Sequence, residues 1–290
     1  MSTKGRAHTA AARARGAVSQ NSIEKLSVRT ADGHNRSKWI RGYGWVRDLP
    51  DARDYMYAAP LVRFPAGLPP SIDLRSLCPP VYDQEQLGSC TANAIGAAIE
   101  FDQRKQGTTE FVPSRLFIYY NERVIEGTVK EDSGAQVRDG IKAVATVGAP
   151  PEVDWPYSIQ EFSVQPPPKA YEDAKQDLVS SYARVAQNLP QMQGCLAEGY
   201  PFVFGFTVYE SFEDETVAKS GVVPMPAAGE RVVGGHCVLA VGYDDAERTF
   251  WIRNSWGADW GISGYCLMPY EYLVTPTLAS DFWTIRSVGG

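Results

Sequence analysis

The sequence predicts an α+β protein whose helices and strands are segregated into two lobes, and three observations carry that reading. Helical periodicity is confined to the first half of the globular part. Short β-branched and aromatic runs fill the second half, and 26 glycines and 20 prolines punctuate the whole chain. A length of 290 residues leaves room for two lobes with their own cores. Hydrophobic content of 44% and charged content of 21% are those of an ordinary globular protein. No run of about 18 apolar residues offers a membrane span.

In chain order, residues 1 to about 38 are rich in Ala, Arg, Ser, Gly and Asn and read as disordered. Their start, "MSTKGRAHTAAARARGAV", is basic but lacks the apolar stretch of a secretory signal. A cytoplasmic location is therefore expected, with signal-independent export left open. Residues 39–60, "WIRGYGWVRDLPDARDYMYAAP", hold five aromatics without a period, as an extended segment packed onto something would. A proline-rich lead-in, "FPAGLPPSIDLRSLCPP", follows. A first helix is predicted from Ser89 as N-cap, with Ile95, Ala98, Ile99 and Phe101 as its stripe and Gly107 as its end. A second runs from Pro113-Ser114 to Gly127. A third places Val137, Ile141, Val144 and Ala145 on one face and closes at Gly148, and "LPQMQGCLAEGYP" is a shorter candidate. The segments "FVFGFTVY", "HCVLAVGY", "TFWIRNSW", "YCLMPY" and "FWTIRS" then read as strands between Gly, Asp and Pro breaks. No internal repeat is present. Two such lobes leave a cleft, and clefts hold sites.

Charge is uneven. Residues 1–47 carry ten Lys/Arg against two Asp/Glu, a balance of +8, while the remaining 243 carry eighteen against thirty-two, −14. A basic arm on an acidic body either binds an anionic partner or lies on its own domain, and the body shows no nucleic-acid footprint. The five cysteines, Cys78, Cys90, Cys195, Cys237 and Cys266, form no CxxC pair, which argues against a zinc or thioredoxin-like site. Free thiols in a reducing compartment are the simpler reading, with one bridge left open.

One thiol stands out. In "DQEQLGSCTANAIGAAIE", residues 83–100, Cys90 lies in the first turn of a helix, where the N-terminal dipole favours the thiolate. A free cysteine is commonly just buried, so its neighbours decide. Of three histidines, His8 and His34 fall in the arm, and His236, in "VVGGHCVLAVGYDD", is the one that folding could bring to Cys90. Asn254, in "FWIRNSWGADWG", could orient that imidazole while a flanking tryptophan excludes water. The Cys90 N–H and the Gln84 side chain could hold a developing oxyanion.

Taken together, Gln84, Gly88-Ser89-Cys90, His236 and Asn-Ser-Trp-Gly at 254–257 resemble the papain-like cysteine peptidases, whose cysteine lies far upstream of its histidine and asparagine. The likeness runs from Leu68 to the C-terminus. "PPSIDLRS" resembles the start of a mature domain, and the "LGSCTANA" form is most similar to bacterial members. The resemblance implies a two-lobed papain-like fold, with a helical left lobe, an antiparallel β-barrel-like right lobe and the active site between them. It implies an arm over residues 1–67, serving as a short pro-region, and a peptidase domain over 68–290, helical at about 80–160 and β-rich at about 161–290. The activity implied is that of a papain-like cysteine endopeptidase using Cys90, His236, Asn254 and Gln84 through an acyl-enzyme thioester. Gly134, Ala135, Gly235 and Trp256 would contact substrate. No metal or organic cofactor is implied, and the protein would act as a monomer on peptide or protein substrates.

Departures from the family pattern matter. Leu87 stands where plant and lysosomal members have a disulfide cysteine, and Thr91 replaces their tryptophan. Gly235, rather than Asp or Asn, precedes the histidine. "EDSGAQVRDG" stands where the family has a Gly-Gly loop. The segment before Leu68 is too short for the family's helical prodomain. It could nevertheless cover the groove as a tethered inhibitor, or Trp39, Tyr43 and Trp45 could cover apolar surface elsewhere. Two other functions remain in view: a silenced peptide-binding module, and a peptidase whose basic arm binds nucleic acid or membrane.

Overall fold

A computed structural model describes residues 43–289, together with the backbone of two strands ahead of them, β1 (Glu24–Arg29) and β2 (Asn35–Ile40). These two pair antiparallel, Glu24 opposite Ile40. This corrects the expectation of a structureless stretch to residue 38 over ten of those positions, 24–29 and 35–38. Leu26 and Val28 alternate with polar residues in β1, the period of a strand. Residues 1–23 lie outside the described part.

Next come β3 (Trp45–Val46) and β4 (Ser71–Asp73), then the helical lobe. It comprises α1 (Cys90–Gln106), α2 (Arg115–Glu126), the short β5 (Ala135–Gln136) and α3 (Val137–Thr146). Ends fall where the sequence signals them. Gly107 and Gly127 close α1 and α2 in the left-handed conformation, and the Ser114 side chain caps α2 by accepting from the Phe117 N–H. Ser89 departs from expectation: it occupies the N-cap position of α1 but makes no capping bond, because its hydroxyl is engaged by Tyr157 and Asn93. On α3, Val137, Ile141 and Val144 are fully buried, whereas Ala145 is only partly so.

α4 (Pro168–Ala174) still belongs to the helical lobe, since Ala170, Ala174 and Tyr171 pack on Phe117 of α2, so the β-rich part begins after it and not at about 161. The second lobe holds β6 (Val179–Arg184), α5 (Leu189–Ala197), β7 (Phe202–Tyr209), α6 (Glu215–Ser220), β8 (Val232–Asp244), β9 (Thr249–Arg253), β10 (Tyr265–Pro269), α7 (Tyr270–Val274) and β11 (Ala279–Val288). Six strands form an antiparallel path, β10-β9-β8-β7-β11-β6, and β4 adds to β8. The sheet stays open, so the right lobe is not a closed barrel. Of these elements α4, α6, α7 and β6 went unread, since five to seven residues carry too little periodicity.

Both faces of the sheet are buried, and β8 alternates between them with period two. Cys237, Leu239 and Val241 point to the cluster formed with Ile95 and Ile99 of α1. His236, Val238 and Ala240 point the other way, where Phe202, Phe204 and Phe206 of β7 meet Trp256, Trp260 and Tyr270. This alternation sets α1 across one face of β8 with Cys90 at its leading end. All five cysteines are free and buried.

Candidate active site

Cys90 is the first residue of α1, and the loop before it is pinned from both sides. The Gly88 N–H donates to Asp132 at 3.0 Å, and Asp132 also accepts from Tyr119, whose hydroxyl oxygen accepts the Gly134 N–H at 3.1 Å. On the other side, the Gln84 N–H donates to the Ser255 carbonyl at 2.9 Å and Gly257 N–H to the Tyr82 carbonyl. The Gln84 side chain is fixed as well: its Nε2 donates to the Leu87 carbonyl at 3.0 Å and its Oε1 accepts from the Ser255 hydroxyl. That leaves the second Nε2 hydrogen for another acceptor.

The sheet supplies the imidazole. His236 Nε2 lies 2.8 Å from Asn254 Oδ1, so Nε2–H donates to the amide oxygen and Nδ1, which has no hydrogen-bond partner, is the acceptor nitrogen. Trp256 stacks on the imidazole at 4.9 Å between centroids, and Phe206 meets it edge-on at 5.7 Å. Asn254 and Trp256 are both buried. The backbone of Cys237, the residue after His236, lies near enough to Cys90 to favour its thiolate. The four residues named from sequence thus converge where α1, the 82–84 loop, β8 and the end of β9 meet.

A fifth component is the stretch 43–46, which runs through the cleft. The Gly44 carbonyl accepts from Ala135 N–H at 2.7 Å, and β3 pairs with β5 in parallel. Gly44 has no room for a side chain, since a Cβ there would lie 1.6 Å from the Gly88 oxygen. The Trp45 ring lies against Gly205 and Gly235, and Tyr43 lies against Gly234, His236 and Trp256 while its hydroxyl bonds Glu213. Gly134, Ala135, Gly235 and Trp256, named as substrate contacts, are therefore all in contact with residues 43–45. The sequence reading also put Trp39 among the covering aromatics, and its side chain lies outside the described residues. Beyond the cleft the segment is anchored by Asp48 and Asp54, which pair with Arg138 and Arg184.

This cover reverses one expectation. A thiolate favoured by the helix start was anticipated, but burial pushes Cys90 up to about 12, against the backbone of Cys237 and Gly44, which pulls the other way. Burial likewise pushes His236 down to about 4, opposed by the Asn254 hydrogen bond. In the covered cleft the pair is neutral thiol and neutral imidazole. Four contributors escaped the sequence reading: Asp132, Tyr119, Ser255 and Glu122, the last accepting from Thr91 at 2.6 Å beneath the helix start. Only Ser255 carried a signal, as the neighbour of Asn254.

A family model described as papain family cysteine protease matches residues 68–275. An uncharacterized peptidase C1-like protein of Acanthamoeba polyphaga mimivirus is 42% identical over 272 residues, covering 86% of this chain and 88% of its own. Cysteine proteinase 3 of Entamoeba histolytica is 27% identical over 232 residues, 78% of this chain and 69% of its own. Among solved structures, xylellain, a cysteine protease from Xylella fastidiosa, superposes with a TM-score of 0.80 at 46% identity, over 85% of this chain and 96% of that one.

Proposed function

This chain belongs to the papain family of cysteine proteases and is a cysteine peptidase, and we propose that Cys90, His236, Asn254 and Gln84 carry its chemistry and that residues 43–46 restrain it. His236 Nδ1 takes the Cys90 proton, and the sulfur attacks the substrate carbonyl carbon. The oxyanion accepts from the Cys90 backbone N–H and from Gln84 Nε2. The Nδ1 proton passes to the leaving amine as the C–N bond breaks, leaving a thioester. Nδ1 then deprotonates a water whose oxygen attacks that thioester, and the expelled sulfur regains the proton. Asn254 holds Nε2–H throughout, so the reacting nitrogen stays turned to the sulfur. The observation that carries this reading is the 2.8 Å bond from Nε2 to Asn254, which leaves Nδ1 as the acceptor nitrogen with no partner of its own.

Restraint rests on occupancy and solvation. Residues 43–46 use the backbone and side-chain positions a substrate would use, and they dry the Cys90–His236 pair. Tethering keeps them at high local concentration. Gly44→Val evicts the segment, because any side chain there meets Gly88. In the full-length chain this substitution should speed iodoacetamide labelling of Cys90 at pH 6 and raise turnover of dipeptidyl fluorogenic amides, both blocked by an epoxide thiol inhibitor. No gain in either would refute the restraint. An evicted Cys90 that alkylates readily while no amide is cleaved would refute the assigned chemistry.

A further inference from the structure

The loop that carries Gln84 is held in an orientation its backbone resists. Glu85, an exposed residue, has φ of 55°, in the left-handed region where a side chain is costly. Such a residue persists only where its surroundings over-determine it. A flip of the peptide joining Gln84 to Glu85 would return φ of Glu85 to the ordinary region and turn the Gln84 carbonyl the opposite way. That peptide is tethered at both ends. Its N–H donates to Asp83 Oδ1 at 2.8 Å, and its carbonyl accepts from the Tyr157 hydroxyl at 2.9 Å.

Tyr157 lies in the chain between α3 and α4, and its hydroxyl also meets the other end of the 84–89 loop. Ser89 Oγ is 2.6 Å away. Since the Tyr157 proton is given to Gln84, the Ser89 hydroxyl donates to the Tyr157 oxygen. Burial pushes the Tyr157 hydroxyl up to about 12, so it keeps its proton at neutral pH. Ser89 Oγ in turn accepts from Asn93 Nδ2 at 3.0 Å, and Asn93 Oδ1 accepts from Arg115 at 3.1 Å. Arg115 is bidentate on Glu152 at 2.8 and 2.9 Å, and its guanidinium stacks on the Tyr157 ring at 4.1 Å. Gln84, Ser89 and Asn93 are buried. Each donor in this chain has one direction, and the chain ends on the Gln84 carbonyl.

We propose that Tyr157 is a positioning residue for the oxyanion hole: its hydroxyl holds the strained Gln84–Glu85 peptide and ties it to Ser89, so that Gln84 Nε2 and the Cys90 N–H keep one separation. This rests on the peptidase reading, which gives the oxyanion to those two donors. Such donors act by being set in place before charge develops. The link from carbonyl to donor is short. Gln84 Nε2 donates one hydrogen to the Leu87 carbonyl at 3.0 Å, and the Leu87 N–H returns to the Gln84 carbonyl at 3.3 Å. Without the Tyr157 hydroxyl the peptide flips and Leu87 loses that return bond. The Gln84 amide then loses the partner that aims its second hydrogen. Tyr157 bonds the Gln84 backbone and the Ser89 hydroxyl rather than a reacting group, so it acts through the donors.

The test separates oxyanion binding from thiol reactivity in the full-length chain carrying Gly44→Val. A dipeptidyl aldehyde takes the Cys90 sulfur on its carbonyl carbon and the thiol proton on its oxygen, and that oxygen sits where the oxyanion forms. Its affinity is read as protection of Cys90 from iodoacetamide, whereas alkylation by itself forms no oxyanion. Tyr157→Phe should weaken aldehyde binding about tenfold, the loss of one hydrogen bond, and lower kcat on a dipeptidyl amide by the same factor. KM and the alkylation rate should not change. Adding Glu85→Gly, which holds a positive φ without steric cost, should restore most of that loss. In a Gln84→Ala chain, Tyr157→Phe should cost little more, because the donor it positions is gone. Equally slowed alkylation, no recovery with Glu85→Gly, or additive losses with Gln84→Ala would overturn the proposal. A loss in Gln84→Ala without one in Tyr157→Phe overturns the positioning role alone. No loss in either overturns the oxyanion assignment and the positioning role together.

Discussion

On the helical side of the cleft, what faces residues 43–46 is mostly backbone: the Gly88 carbonyl, the Ala135 N–H, the bare Cα of Gly134 and the start of α1 at Cys90. On the sheet side it is side chains, with His236, Trp256 and Phe206 between glycines that make room for rings. The helical wall is shaped from behind, by Asp132 and Tyr119 clamping Gly88 and Gly134 together. The sheet wall is shaped by register, since the pleat of β8 alone sends His236 to one face and Cys237 to the other. Cys90 is therefore placed by a loop hydrogen-bonded on both sides, and His236 by a strand that cannot slip without turning over.

That contrast predicts where each wall breaks. The largest effect belongs to the reacting pair that joins the walls. Cys90→Ala or His236→Ala should each lower turnover by roughly 10⁴–10⁶, whereas Asn254→Ala, which misorients the base without deleting it, should cost less. Steady-state kinetics on one amide substrate decides, and near-normal turnover in His236→Ala would end this account of the sheet wall. A smaller loss is expected where the walls are stitched. Gln84→Ala should reduce kcat by at most roughly 10²–10³, because the Cys90 N–H remains as a donor. Ser255→Ala, which only frees the Gln84 amide to rotate, should cost less again; equal losses would mean that orientation is all Gln84 contributes.

The smallest effect on chemistry, and the clearest on stability, should come from behind the helical wall. Asp132→Ala strips the Gly88 N–H and the Tyr119 hydroxyl of their shared acceptor. A cost of about 2 kcal/mol is expected, a hydrogen bond to a charged group being worth that much. Differential scanning calorimetry should show a melting temperature lower by roughly 5 °C. If melting is unchanged while turnover collapses, Asp132 acts on the reaction itself and the division between a supported wall and a reacting wall is wrong.

Local signals determined a good deal. Helix ends at Gly107 and Gly127 and a cap at Ser114 were legible because left-handed glycines and capping hydroxyls act within one turn of chain. The run "FVFGFTVY" was legible as β7 because aromatic and β-branched residues in a row suit a strand buried on both faces. Cys90, His236, Asn254 and Gln84 could be named because their residue types are uncommon in those settings: a thiol at a helix start, an imidazole and an amide in apolar strands. What only the tertiary structure decided is long-range. That Tyr43, Gly44 and Trp45 lie in the cleft depends on glycines 44 to 191 residues further along the chain, whose missing side chains mean nothing until two surfaces meet. The thiol of Cys90 and the imidazole of His236 are shifted toward their uncharged forms for a related reason. A helix dipole and a neighbouring imidazole are readable in sequence, but solvation is a property of everything packed around a group. Here burial by everything packed around the two groups outweighs both.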